Sequence, residues 1–295
     1  MAGRDIQSEL LSADWNDEWM RLQAGRQRAD DPFEWDKRAR HFRPLETAPY
    51  ARDFMKLLAL KPGESVLDMG CGAGSIAIPL AQAGHSVIAA DFSPAMLGTL
   101  DAGIEYYGLE DLITPLELSW DDDWDLVGPV AKIVDVAFAS RSVTTNDLKG
   151  ALAKLDRTAR RRCAVTMVAK SSPRYDLYLM NAIGASVACS NGFVYAFNIL
   201  IQMGALPQVT YFESPRRDTF DSLEAGVADF SRMLEHGNED KIDRLRDYVA
   251  QHMIENPRAG EPGSKGVPQG RYMLDHVRRV RWAFIAWEPV SSGRP

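Results

Sequence analysis

The stretch VLDMGCGAGSIAIPLA, residues 66–81, limits the possible folds of this chain more than any other. An apolar run is interrupted by an acid, Asp68; three glycines follow at alternate positions, Gly70, Gly72 and Gly74; and apolar residues then resume at helical spacing. This pattern predicts a buried strand, a turn of bare backbone and a helix, the unit from which parallel sheets with helices on both faces are built. The alternation continues downstream. HSVIAADF reads as a second strand, and SPAMLGTLDAGIEYYG as a helix with Ser93 as its cap and Pro94 in its first turn. LITPLELSW and KIVDVAFAS read as strands, NDLKGALAKLDRTA as a helix and CAVTMVAK as the fifth strand. The predicted fold is α/β: a doubly wound, mostly parallel seven-stranded sheet, with an N-terminal helical cap over 1–44 and a helical insertion before the last strand, the main domain being 45–295. Ligands of such sheets lie at the carboxyl ends of the strands, near the switch in strand order.

The glycine spacing then separates one ligand class from others. It matches neither GxGxxG of dinucleotide sites nor GxxxxGK[ST] of P-loops. Asp68 at the strand end repels a pyrophosphate and attracts an ammonium group. Asp91 closes the second strand 23 residues later, where an acid can grip both hydroxyls of a ribose. The expected ligand carries a ribose and an amino group, with no phosphate required.

Through VLDMGCGAG, through VIAADFSPAML and through the strand order that follows, the chain resembles the class I S-adenosylmethionine (SAM)-dependent methyltransferases, well over residues 50–170 and loosely beyond. The resemblance implies SAM as methyl donor and S-adenosylhomocysteine (SAH) as product. It puts the backbone of Gly70, Gly72 and Gly74 against the methionyl part, Asp68 on the ammonium and Asp91 on the ribose. Cys71 lies inside this loop as a small packing side chain rather than a nucleophile. Phe92 and Met96 flank the adenine, Trp120 and Asp121 of SWDDDW meet its amino edge, and Ala139 and Ser140 lie near the reactive methyl.

The methyl acceptor is expected to be a small molecule. With 34 Lys and Arg against 41 Asp and Glu the net charge is −7, the wrong sign for a nucleic-acid footprint. By the same resemblance, methylation of amino groups in DNA would show an Asn/Asp-Pro-Pro-aromatic motif near residue 139, and methylation of cytosine C5 a cysteine; the chain reads ASRSVT there. No nucleic-acid partner is therefore expected. Cys71, Cys163 and Cys189 are scattered, which indicates neither disulfides nor a metal site. A signal-type apolar region is missing from the first residues, and no apolar run reaches the ~20 residues of a membrane span. A cytoplasmic protein with no membrane partner is the expectation; the oligomeric state is open.

The acceptor side is less legible. Trp15 and Trp19 fall one helical turn apart, and Trp35, Ala39 and Phe42 share one face, so the cap reads either as packing or as a lid that brings His41 over the acceptor. In segment 171–204 the second half is apolar nearly all round and predicts a buried helix, with Tyr195, Asn198 and Gln202 in one stripe. Buried amides need partners. Asn198 and Tyr195 are assigned to the pocket and, with His41, are the catalytic candidates; Gln202 is assigned to an internal network. Arg141, Arg174, Tyr175 and Tyr178 would suit an acceptor bearing a carboxylate. Segment 219–254 reads as two amphipathic helices near the substrate side. VRRVRWAFIAWEP reads as a closing edge strand, with Arg278, Arg279 and Arg281 on a solvated face. Alignment of acceptor and methyl in a dry site can supply most of the acceleration, so no general base is required. The competing expectations are a SAM-binding regulatory or partner protein without turnover and, less favoured, a nucleic-acid or protein methyltransferase.

Overall fold

The computed structural model describes residues 14–24, 49–127, 131–143, 145–170, 173–187, 191–234, 238–263 and 267–290. The chain opens with helices α1 (Trp15–Ala24) and α2 (Pro49–Leu58). Strand β1 (Val66–Met69) is buried at every residue, because parallel strands flank it on both sides. It leads through the glycine loop into α3 (Ala77–Gln82), β2 (Val87–Asp91) and α4 (Pro94–Tyr107). Ser93 Oγ accepts from the Met96 amide at 3.2 Å, and Gly108 ends α4 in the left-handed region, so this helix is delimited by its own sequence. Next come β3 (Ile113–Glu117), the short α5 (Trp124–Val127), β4 (Val134–Ser140), α6 (Leu148–Thr158) and β5 (Ala159–Val168). Helices α7 (Leu177–Ile183) and α8 (Gly192–Gln202) precede β6 (Gln208–Arg216). The rest comprises β7 (Thr219–Phe220), α9 (Leu223–Ser231), α10 (Ile242–His252), β8 (Met253–Glu255), β9 (Tyr272–Leu274) and β10 (Arg278–Trp287).

The seven-stranded sheet has the order β3-β2-β1-β4-β5-β10-β6, parallel from β3 to β5, with β10 antiparallel to both neighbours. The predicted architecture is present, with one correction: β10 is an interior strand, not an edge. Trp282 to Trp287 are all 5 % exposed or less, and a continuous apolar run is what a strand covered on both faces requires. The arginines that suggested an edge precede Trp282, which is already opposite Val168, the last residue of β5. Arg279 and Arg281 do lie on the solvated side, against Glu213, whereas Arg278 is buried.

Two apolar layers cover the sheet. On one face Phe54 and Leu58 of α2 pack with α3, α4, Phe138 and Phe284; on the other α6, α8 and Trp19 of α1 pack with Leu67 and Trp287. A third cluster, built from Leu179, Phe220, Phe230, Leu245 and Val249, joins α7, α9 and α10 to a small antiparallel sheet of order β7-β9-β8.

Candidate active site

The site starts from the burial of β1. Asp68 pairs in register with Ala89 and Phe138, so its carboxyl sits inside the sheet at 1 % exposure. Neither carboxyl oxygen has a hydrogen-bond partner among the described residues. Burial, and secondarily the negative charge of Asp91, pushes its pKa up to about 8. A buried polar group without a partner is costly, which makes Asp68 a seat waiting for a donor or a cation.

The loop beyond it is held by backbone. The amides of Gly70 and Cys71 both donate to the Ala90 carbonyl, at 2.7 and 3.0 Å. Gly70 has φ 77°, and a Cβ there would lie 2.2 Å from Ser142 Cβ; Ser142 Oγ in turn donates to the Met69 carbonyl at 2.5 Å. This glycine therefore permits the close approach of the chain after β4. Gly72 differs, because at φ 55° nothing lies within 4 Å of where its Cβ would be. Its bare backbone borders open space, and its amide donates to Asp91 Oδ2 at 2.8 Å. Asp91 Oδ1 accepts from the Ser93 amide at 3.0 Å. Burial raises the Asp91 pKa against the opposing pull of the Ser93, Gly72 and Phe92 amides. Burial also drives the Cys71 thiol well above its usual range, so it stays protonated and unreactive.

Met96 is buried against Ala73, and Phe92 is half-buried. Trp120 donates from Nε1 to the Ser142 carbonyl at 2.7 Å and stacks on Trp124, ring centroids 5.6 Å apart, which fixes it as a wall after β3. Asp121 is exposed in the same turn, its Oδ1 accepting from Thr145 Oγ1 at 3.5 Å. The Ala139 side chain is wholly buried in the core, and Ser140 ends the strand.

At that strand end sits a group that sequence reasoning missed. The Tyr50 hydroxyl, from the first turn of α2, is hydrogen-bonded to Ser140 Oγ and, at 2.6 Å, to Thr166 Oγ1. The Arg141 guanidinium lies 3.9 Å from the centre of the Tyr50 ring, and Arg141 itself has φ 63°. Burial raises the Tyr50 pKa in spite of Arg141, so the phenol is a donor and not a base near neutral pH. The available signal was the spacing Tyr50, Phe54, Leu58, an apolar helix face headed by a phenol.

Helix α1 covers the neighbouring loop. Trp19 Nε1 donates to the Thr145 carbonyl at 2.8 Å, and the Tyr195 ring packs edgewise on Trp15 and Trp19, at 6.0 and 5.6 Å. Asn198 turns its amide back to the Val194 carbonyl at 2.8 Å, within its own helix. Gln202 is exposed, because α8 buries only Ala196, Ile199 and Leu200; the expectation of a helix buried all round is corrected accordingly. Tyr175 packs on the third cluster, Tyr178 is exposed beside His276, and the Arg174 carbonyl accepts from Arg278. His41, Trp35, Ala39 and Phe42 lie outside the described residues. Among the described residues there is no metal-binding cluster, and no helix is long and apolar enough to cross a membrane.

Comparison with known proteins adds the family. Residues 66–162 match the family described as Methyltransferase domain. These residues form a methyltransferase domain, of the class I SAM-dependent kind. This methyltransferase is 32% identical to an uncharacterized protein of Haemophilus influenzae over 263 residues, 87% of this chain and 89% of the other. Over 41 residues, 14% of this chain and 19% of the other, it is 49% identical to an uncharacterized methyltransferase of Synechocystis. The YcgJ protein of Bacillus subtilis shares the fold, with a TM-score of 0.51 at 13% identity over 82% of this chain and 99% of that one. The site suits the donor of this family: an unpartnered buried carboxyl for an ammonium, a second acid at the end of β2 for a ribose, and open backbone at Gly72 between them.

Proposed function

We propose that this methyltransferase moves a methyl group from SAM to a small-molecule acceptor at the carboxyl edge of the sheet. The observation that carries the reading is the Asp68 carboxyl, buried without a partner beside the open backbone of Gly72. Asp68 takes the ammonium, Asp91 the ribose hydroxyls, and Phe92, Met96 and Trp120 form the adenine slot. When bound, SAM supplies a methyl that leaves its sulfonium as the acceptor's nucleophile attacks in line.

The chain's own part is to position and to exclude water. The ends of β4 and β5 offer Ser140, Thr166 and the Tyr50 phenol, a donor set held rigid by mutual hydrogen bonds. Trp15 and Trp19 of α1 shield the adjoining loop from solvent. The net charge of −7 and the ASRSV sequence at the end of β4 favour a small acceptor over nucleic acid.

Calorimetry should show one SAH bound per chain, with affinity lost in Asp91→Ala. Incubation with methyl-labelled SAM should label a metabolite extract and leave nucleic acid and protein unlabelled. Stoichiometric SAH binding without any labelled product would instead favour the regulatory reading.

A further inference from the structure

Charge is divided along the carboxyl edge of the sheet. Acids occupy the ends of β1 and β2 and the turn after β3. Arginines occupy the other half: Arg141 follows β4, Arg216 ends β6, and Arg278 opens β10. Because β10 is antiparallel, its first residue falls on this same edge, and Arg278 stands opposite Arg216 in register.

Arg216, Arg217, Asp218, His276 and Arg278 line a shallow surface cleft backed by Phe230 and Met273. Arg278 is 6 % exposed; its Nη atoms donate to the carbonyls of Pro173 and Arg174, both at 3.2 Å, and to Asp218 at 2.8 Å. Its Nε is buried with no partner. Arg216 donates to the Pro173 carbonyl at 3.3 Å. Among the described residues, Asp218 is the only acid in ion-pair contact with Arg141, Arg216, Arg217 or Arg278, and His276 has its own acid, Asp176, at 2.8 Å.

Arg216 remains exposed to solvent; the protein packed around it, and next the charge of Arg278, lower its pKa, with Arg141 acting in the same direction. Like charges gathered around one carboxylate are destabilising unless an anion joins them. The strain of Arg141, a non-glycine residue in the left-handed region, fits a functional position. The other arginines of β10 give the contrast: Arg279 and Arg281 share Glu213 on the solvated side, where their side chains are 58 % and 49 % exposed and water screens them.

We infer that the methyl acceptor is an oxyanion, a small molecule bearing a carboxylate or a phosphate, held by Arg141, Arg216 and Arg278 on the acceptor half of the sheet edge. The inference rests on the donor site proposed above. Guanidinium forks suit either anion.

The test is calorimetric titration of the SAH-saturated protein with inorganic phosphate and, separately, with acetate. Saturable binding of one of them at about 10 mM or below is expected, and the anion that binds identifies the acceptor's group. Loss of one charged hydrogen-bonding partner in Arg216→Gln or Arg141→Gln should weaken that binding roughly tenfold or more, with SAH affinity kept. Arg279→Gln should bind both ligands as the parent does. Arg278 is not the test position, since its own buried side chain holds Asp218 and the carbonyls of Pro173 and Arg174, and its removal would disturb the fold. SAH binding with no saturable anion binding, or anion binding undiminished in both Arg216→Gln and Arg141→Gln, overturns this inference alone. A protein that binds no SAH overturns the donor site and the inference with it.

Discussion

The burial of Asp68 makes donor binding depend on pH in a defined direction. Its pKa is pushed up to about 8, so in the free protein the carboxyl is protonated below that pH. An ammonium needs the carboxylate. At pH 6, two units below, ionising Asp68 costs about 2.7 kcal/mol; since half the carboxyl is already ionised at pH 8, SAH should bind about fiftyfold more weakly at pH 6 than at pH 8. The amino acid end of the ligand keeps its own charge below about pH 8, so the slope between pH 6 and 8 belongs to the protein. Calorimetry in buffers of differing ionisation enthalpy should show nearly one proton released per SAH at pH 7, and Asp68→Asn should bind weakly with a flat profile.

Stability runs the other way. The folded pKa is raised above the ordinary 3.8, so the native state holds a proton that the unfolded chain has given up. The contribution to stability is full below pH 3.8, falls as pH rises towards about 8, and is flat above. Saturating SAH should offset that fall. An SAH affinity constant from pH 6 to 8 without proton release, or a parental slope retained in Asp68→Asn, would refute the assignment.

The two loop glycines should separate fold from binding. Gly70→Ala drives a Cβ into Ser142 and should cost about 3 kcal/mol or more in denaturant unfolding, whereas Gly72→Ala carries only left-handed strain of about 1 kcal/mol and should chiefly weaken SAH. Tyr50→Phe should lower stability by about 1–2 kcal/mol, because Ser140 Oγ is left only with Thr166 at 3.3 Å and Thr166 only with Ser140 and the Arg141 amide, and SAH affinity should hold within a fewfold. Tyr195→Ala should undock α1 from α8, lowering the melting temperature by an amount equivalent to about 2 kcal/mol and exposing the tryptophans to fluorescence quenchers. Asn198→Ala removes a bond internal to its helix and should cost under about 1 kcal/mol.

The proposed donor side of the site could be read from the sequence because its residues are local. One strand end, one loop and the next strand end supply Asp68, Gly72 and Asp91, so spacing along the chain stands in for distance in space. Helix α4 was legible for the same reason, since Ser93 and Gly108 delimit it from within. The acceptor side is assembled from residues far apart in sequence. Tyr50 meets Thr166 across 116 positions, and Arg278 meets Asp218 across 60. No periodicity encodes such pairs; they exist only once β10 has inserted between β5 and β6 and α2 has packed on the sheet. That insertion inverted the reading of Arg278, from a solvated charge to a buried one. Hydrophobic pattern assigns a strand to a sheet, whereas its neighbours are chosen by how all the strands together bury their apolar faces, and those neighbours decide which charges share a site.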